Sequence, residues 1–285
     1  MPSRRKLTIA IANYPHTAAL KSGAVQIEGV DAEFISVEPQ VAAYRRMVRG
    51  LEFDVCELAP TTYLIARAYG VAFTAIPIFV SRLFHHSGVL VQPAHSIHHP
   101  KVLEGRKVGV RAWSVTTGVW TRGIFAREFG VDNSKITWVV DDEEHLSALP
   151  LPANVIHTAP GQSLFGLMQQ GELAAGFSGN AGIGRSGAPG GGWRTEDCSA
   201  FPELFEDAQA LEAAWYARTG IYPLHATIAV KQSVLDADPW IARALFDAFS
   251  EAKRQWLVNF ATGADAGPSD GRYRQFCRIV GADPL

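Results

Sequence analysis

The chain has 285 residues, with 26 Lys and Arg against 28 Asp and Glu, a formal charge of −2. That balance, with no run of like charge, excludes the concentrated basic surface that a nucleic-acid partner needs. The length allows a large buried core and fits two compact domains better than one.

In chain order, the polar and basic Met1–Lys6 leads into an apolar strand, Leu7–Ala12, too short for a secretory signal's apolar region and without a small-residue cleavage site. No stretch approaches the roughly 20 apolar residues that span a bilayer. Cys56, Cys198 and Cys277 are scattered and odd in number, forming neither a disulfide framework nor a zinc motif, so a cytoplasmic location is expected. Further strands are predicted at Glu33–Val37 and Phe53–Leu58, another extended apolar stretch runs from Phe73 to Val80, and the composition changes after Val89–Val91. A surface helix over Val41–Arg49 places Val41, Tyr44 and Val48 on one face, and a second helix spans Thr61–Tyr69.

The polar loop Pro93–Pro100, with His95, His98 and His99, marks a first domain crossing. Beyond it come a strand Val108–Arg111, a helix Thr116–Phe129, a strand Ile136–Val140, a helix Ser163–Gln170, a strand Ala174–Phe177, the glycine-rich Gly179–Gly192 and a helix Phe201–Arg218. Ala226–Val230 returns to the first lobe, and Asp238 caps a long helix Trp240–Phe260 with Pro239 at its first position. Strands alternating with helices predict an α/β fold of two lobes, each a mainly parallel sheet flanked by helices. Residues 1–91 and 226–285 form the discontinuous first lobe and 92–225 the second, hinged at two crossings, with a small anion held in the cleft.

Ligands of open parallel sheets sit beyond the carboxyl ends of the strands, where helix starts present free N–H groups. Tyr14 and His16 follow the first strand. Glu57 is a carboxylate inside the apolar run Cys56–Ala59, ahead of Thr61 and Thr62, which either bind an oxyanion or, for Thr61, only cap a helix. Ser81–Ser87 contains Arg82, His85 and His86; in a regular strand adjacent histidines point to opposite faces. Arg111, Ser114, Thr116 and Thr117 join a strand to a helix start and form a carboxylate-binding nest, with Arg111 as a bidentate clamp. Asp141–His145 admits a metal hypothesis, against the commoner reading of a solvated acidic helix start. Gly179–Gly184 is not a dinucleotide fingerprint, although Asn180 is placed to reach a ligand. His225 precedes the return strand.

Tyr14-Pro15-His16, Phe53–Glu57, Pro60–Tyr63, Phe84-His85-His86, the long motif Gly109–Gly123, Trp138–His145, Gly179–Gly184 and Thr219–Pro223 together resemble the 4,5-dihydroxyphthalate decarboxylase family across nearly the whole chain. The resemblance implies a type II periplasmic-binding-protein-like fold turned to cytoplasmic catalysis, with protocatechuate and carbon dioxide as products. It also implies a further helical segment after Gly281–Leu285.

The carboxylate to be lost lies para to a phenol. A base that draws off the phenolic proton raises electron density at the carboxylate-bearing carbon, which an acid protonates before carbon dioxide leaves. Arg82 and Arg111, with Thr116 and Thr117, are assigned to the two carboxylates; His16 or His86 to the proton; Glu57 or Tyr14 to the catechol; His225 is a reserve. No organic cofactor and no protein metal ligand are assigned, with a divalent ion across the catechol oxygens as an alternative. The expected partner is a small aromatic dicarboxylate, without nucleic acid or membrane; self-association is left open. The competing reading is a non-catalytic ABC-transporter-type receptor for a small organic anion.

Overall fold

The structure, a computed structural model, describes residues 4–188, 192–263, 267 and 270–285. Residues 189–191 of the glycine-rich stretch lie outside the described residues. Two compact units emerge, Met1–Arg82 with Leu224–Leu285, and Leu83–Pro223. The first division thus falls ahead of the Pro93–Pro100 loop.

The first unit begins with β1 (Arg5–Ala10), α1 (Ala18–Lys21), β2 (Val30–Phe34), α2 (Gln40–Gly50), β3 (Val55–Leu58), α3 (Pro60–Ala68) and β4 (Phe73–Arg82). The second unit follows with β5 (Val89–Val91), β6 (Lys107–Gly109), α4 (Thr116–Phe129), β7 (Thr137–Val140), β8 (Val155–His157), α5 (Leu164–Gln169), β9 (Ala175–Phe177), β10 (Arg185–Ser186), β11 (Arg194–Thr195) and α6 (Ala208–Thr219). The chain then returns to the first unit through β12 (Leu224–Lys231), α7 (Gln232–Ala237), α8 (Trp240–Thr262) and α9 (Asp270–Val280).

The first sheet has the order β2-β1-β3-β12-β4. β1 runs parallel to β2 and β3, whereas β12 is antiparallel to both β3 and β4. Leu7, Ile9, Val55, Ile228, Ile241, Leu245 and Phe249 meet in its core. Strands buried on both faces need continuous apolar runs, and Val55–Leu58 is buried throughout. The second sheet has the order β5-β9-β6-β7-β8, parallel except for β5, around Val108, Phe125, Ile136, Trp138 and Phe177.

Two helix starts differ from expectation. The residue ahead of α8 is Pro239, without a side-chain cap; Asp238 instead pairs with Arg5 at 3.4 Å and accepts from Trp240 Nε1 at 3.3 Å. The residue ahead of α3 is Ala59, so Thr61 lies inside the helix rather than capping it. The Gly179–Gly184 motif has a steric origin. A Cβ on Gly184 would lie 2.3 Å from the Gly179 nitrogen, and one on Gly182 would lie 2.5 Å from the Phe177 oxygen. Only glycine lets these backbones approach so closely.

Candidate functional site

In the first unit, β1 and β3 are hydrogen-bonded neighbours, so the segment after β1 comes to Glu57. Glu57 is 1% exposed. One carboxylate oxygen accepts from Tyr14 (2.8 Å) and Tyr44 (2.5 Å), and the other from the Ala12 N–H (2.9 Å). Burial raises the Glu57 pKa, and these three donors oppose the rise. Burial, and then the neighbouring Glu57 charge, raise the Tyr14 and Tyr44 phenols well above their ordinary value.

His16 lies in the short 3-10 turn Pro15–Thr17 and is buried. Its Nε2 is 3.0 Å from the Val80 carbonyl oxygen. A carbonyl only accepts, so the proton sits on Nε2 and Nδ1 keeps its lone pair. That Nδ1 is buried with no partner among the described residues. The ring stacks on Tyr14 (5.1 Å between centroids) and meets Trp256 and Tyr273 edge-on (5.6 and 6.2 Å). Burial lowers its pKa to about 4. His225, in β12, is likewise brought to about 4, first by burial and then by Arg272. Thr62 is buried and Thr61 half-buried in the first turn of α3, and Arg82 ends β4 opposite Leu224.

In the second unit, Ser114 and Arg111 lie between β6 and α4, with Thr116 and Thr117 in the first turn of the helix. The anion held at this loop is the protein's own. Glu144 accepts from the Trp113 N–H (2.6 Å), the Ser114 N–H (3.1 Å) and the Ser114 hydroxyl. Arg111, expected to clamp a ligand, donates from Nη1 to Asp142 at 3.0 Å, with both side chains nearly inaccessible (4% and 0%). Asp141 holds Arg185 at 2.5 Å. The acids after β7 are therefore not a solvated helix start; buried Asp142 and half-buried Asp141 are the counter-charges that burial of Arg111 and Arg185 demands, and Glu144 is buried against the Trp113–Ser114 turn. Among the described residues no group of three or more His, Cys, Asp or Glu is arranged to hold a metal ion.

His85 and His86 do not alternate along a strand, because β4 ends at Arg82 and the chain bends before β5. Both are buried. His85 lies parallel to Trp120 at 6.3 Å, and its carbonyl accepts from the Thr121 hydroxyl at 3.2 Å. His86 meets Trp215 edge-on at 5.4 Å, and burial, then Arg218, lower its pKa to about 4. Asn180 is exposed just after β9. A cavity of about 750 Å³ opens beside Asp141 and Asp142 in this unit. Glu143 and Glu196 also line it, against the single guanidinium of Arg194, a poor lining for a doubly charged anion.

Tyr44, Arg122, Glu144 and Arg185 were absent from the predicted site. For Tyr44 a signal existed: a tyrosine on the apolar face of a helix needs a buried partner for its hydroxyl.

No family model matches the chain. Over 298 aligned positions it is 32% identical to a 4,5-dihydroxyphthalate decarboxylase of Comamonas testosteroni, covering 99% of this chain and 86% of that protein. The chain belongs to the 4,5-dihydroxyphthalate decarboxylase family. A second member, from Pseudomonas putida, is 33% identical over 181 residues, covering 61% of this chain and 70% of that one. Among solved structures, the periplasmic aliphatic sulphonate binding protein of Escherichia coli aligns with a TM-score of 0.53 at 12% identity, covering 99% of this chain and 84% of that one. The alkanesulfonate-binding protein of Xanthomonas axonopodis pv. citri gives 0.51 at 10% identity, covering 99% and 85%. The chain thus has a periplasmic-binding-protein-like fold.

Proposed function

We propose that this chain is a carboxy-lyase that removes one carboxylate from 4,5-dihydroxyphthalate, giving protocatechuate and carbon dioxide. The identity to the Comamonas testosteroni decarboxylase over nearly the full chain carries this reading. The balance of the reaction is simple. A phenol yields its proton to a base, the carbon para to it gains a proton, the bond to the carboxylate breaks, and its electron pair restores the aromatic phenolate.

Tyr14, held by the Glu57 carboxylate at 2.8 Å, engages a catechol oxygen. His16 and His86, both neutral in the free protein, are the candidates for proton transfer. As neutral imidazoles they accept a phenolic proton directly; as donors they depend on the bound dianion, whose charge raises a neighbouring histidine's pKa. For His16 the acceptor is Nδ1, since Nε2 faces the Val80 carbonyl and Nδ1 has no partner among the described residues. Thr116 and Thr117, at the head of α4, hold a carboxylate with its first N–H groups. Activity is placed in the cytoplasm, a reading supported by the free thiols Cys56, Cys198 and Cys277; among the described residues no helix is long and apolar enough to cross a membrane.

The test is incubation of purified protein with 4,5-dihydroxyphthalate, following protocatechuate by chromatography and the released gas. Stoichiometric formation of both supports the reading. Tight binding of the substrate without product would establish a solute receptor instead.

A further inference from the structure

The connection between β4 and β5 is held residue by residue by α6 and its flanks. The Phe84 ring sits among Trp215, Tyr216 and Tyr222, with centroids 6.3, 6.2 and 4.9 Å away. The His86 ring meets Trp215 at 5.4 Å. Glu212 accepts from the Ser87 N–H and hydroxyl, and Glu203 accepts from the Gly88 N–H at 2.8 Å. Glu212 and Trp215 are three residues apart on α6, so they share one face of the helix. That face fixes both the His86 ring and the backbone immediately after it.

Glu212 is 2% exposed. Burial pushes its pKa up to about 7, the two Ser87 donors oppose the rise, and the Glu203 charge adds to it. Ser87 itself is exposed, so water could serve its N–H and hydroxyl, and a carboxylate sunk into the protein to hold them is a costly substitute. What the carboxylate supplies is a fixed geometry for the residue before Ser87. That residue, His86, is also 2% exposed, and its Nδ1 is buried with no partner among the described residues. A buried ring nitrogen left open calls for a ligand or a catalytic use.

We infer that Glu212 is a positioning residue that holds the Ser87 backbone so that the His86 imidazole is turned to a phenolic proton of the substrate. This rests on the decarboxylase reading. Glu212 acts through Ser87 and not by contact with the substrate. Its loss therefore slows proton transfer and spares substrate binding.

The test is a mutant cycle read by kcat and KM. Glu212→Ala is expected to lower kcat about 10²-fold, the scale of a misplacement of about 1 Å, with KM for 4,5-dihydroxyphthalate little changed. Glu212→Gln keeps an oxygen that accepts from Ser87 and should recover most of that loss. In a His86→Asn background Glu212→Ala should cost nothing more, because residues that act as one unit are not additive. Ser87→Ala removes only the hydroxyl and should give a smaller fall in kcat if Glu212→Ala does not fold. Apart from turnover, the His86 ring protons, shifted by the Trp215 ring current, should move toward free-imidazole positions in NMR spectra of Glu212→Ala. Unchanged kcat in His86→Asn or in folded Glu212→Ala would overturn the inference, as would the same loss from Glu212→Ala in both backgrounds. Absence of product from the wild-type enzyme would instead sink the decarboxylase reading, and the His86 signals would still decide whether Glu212 places the ring.

Discussion

Replacing Tyr44 by Phe tests the buried carboxylate at the centre of the first unit. The phenol donates to Glu57 at 2.5 Å, with Tyr44 8% and Glu57 1% exposed. Its removal leaves Glu57 with Tyr14 and the Ala12 N–H. A hydrogen bond to a charged group is worth about 1.5–3 kcal/mol, so the first unit should lose about 2 kcal/mol where Glu57 is ionised. Burial raises the Glu57 pKa and Tyr44 opposes that rise, so Tyr44→Phe sends the pKa higher still. The loss is therefore largest at high pH and shrinks on acidification, because a protonated carboxyl has no charge for Tyr44 to stabilise. Urea denaturation at pH 8 and pH 5 measures this, with unfolding of the first unit read by hydrogen exchange. Equal shifts at both pH values, or none at pH 8, would refute the charge-assisted bond.

Acidification should destabilise the protein through its buried histidines. His16 and His86 sit at about 4 in the folded state, whereas a free imidazole titrates near 6.5. Between those values the unfolded chain binds more protons, so stability rises with pH and is lost on acidification, by up to about 1.4 kcal/mol per pH unit for each histidine; a urea midpoint unchanged from pH 7 to pH 5 would contradict this, and His16→Gln should flatten the slope. Gly184→Ala drives a Cβ into the Gly179 backbone and should cost about 1–3 kcal/mol, seen as a lower melting temperature. Asp142→Asn leaves the buried Arg111 without its counter-charge and should cost about 3–5 kcal/mol. Arg243→Ala, which breaks an exposed pair with Asp247, should leave the same melting curve in place.

Much of the architecture was legible because burial leaves a periodic trace. The helix Thr116–Phe129 occurs at the predicted bounds, and the return strand differs only at its ends. Pairing partners leave no such trace. The antiparallel insertion of β12 between β3 and β4 depends on contacts between segments far apart in the chain, and the predicted helix over Phe201–Arg218 begins only at Ala208, where Asp207 caps it. Tyr14, Glu57 and the Arg111–Thr117 loop could be picked out from the sequence as polar groups within or just after apolar strands. What they bond to could not. Nothing local says that the Trp113–Ser114 N–H groups receive Glu144, or that Arg111 receives Asp142.

The amino-acid sequence alone determined the fold class and the family, because strand and helix patterning and long motifs are local properties of the chain. Tertiary structure alone decided which charges are spent inside the protein. Buried ions demand a partner, and folding brought Asp142 and Glu144 from one segment against Arg111, Ser114 and Trp113 from another. The same burial made His16 and His86 neutral, since desolvation disfavours the charged imidazole and is set by the surrounding packing rather than by neighbours in the chain.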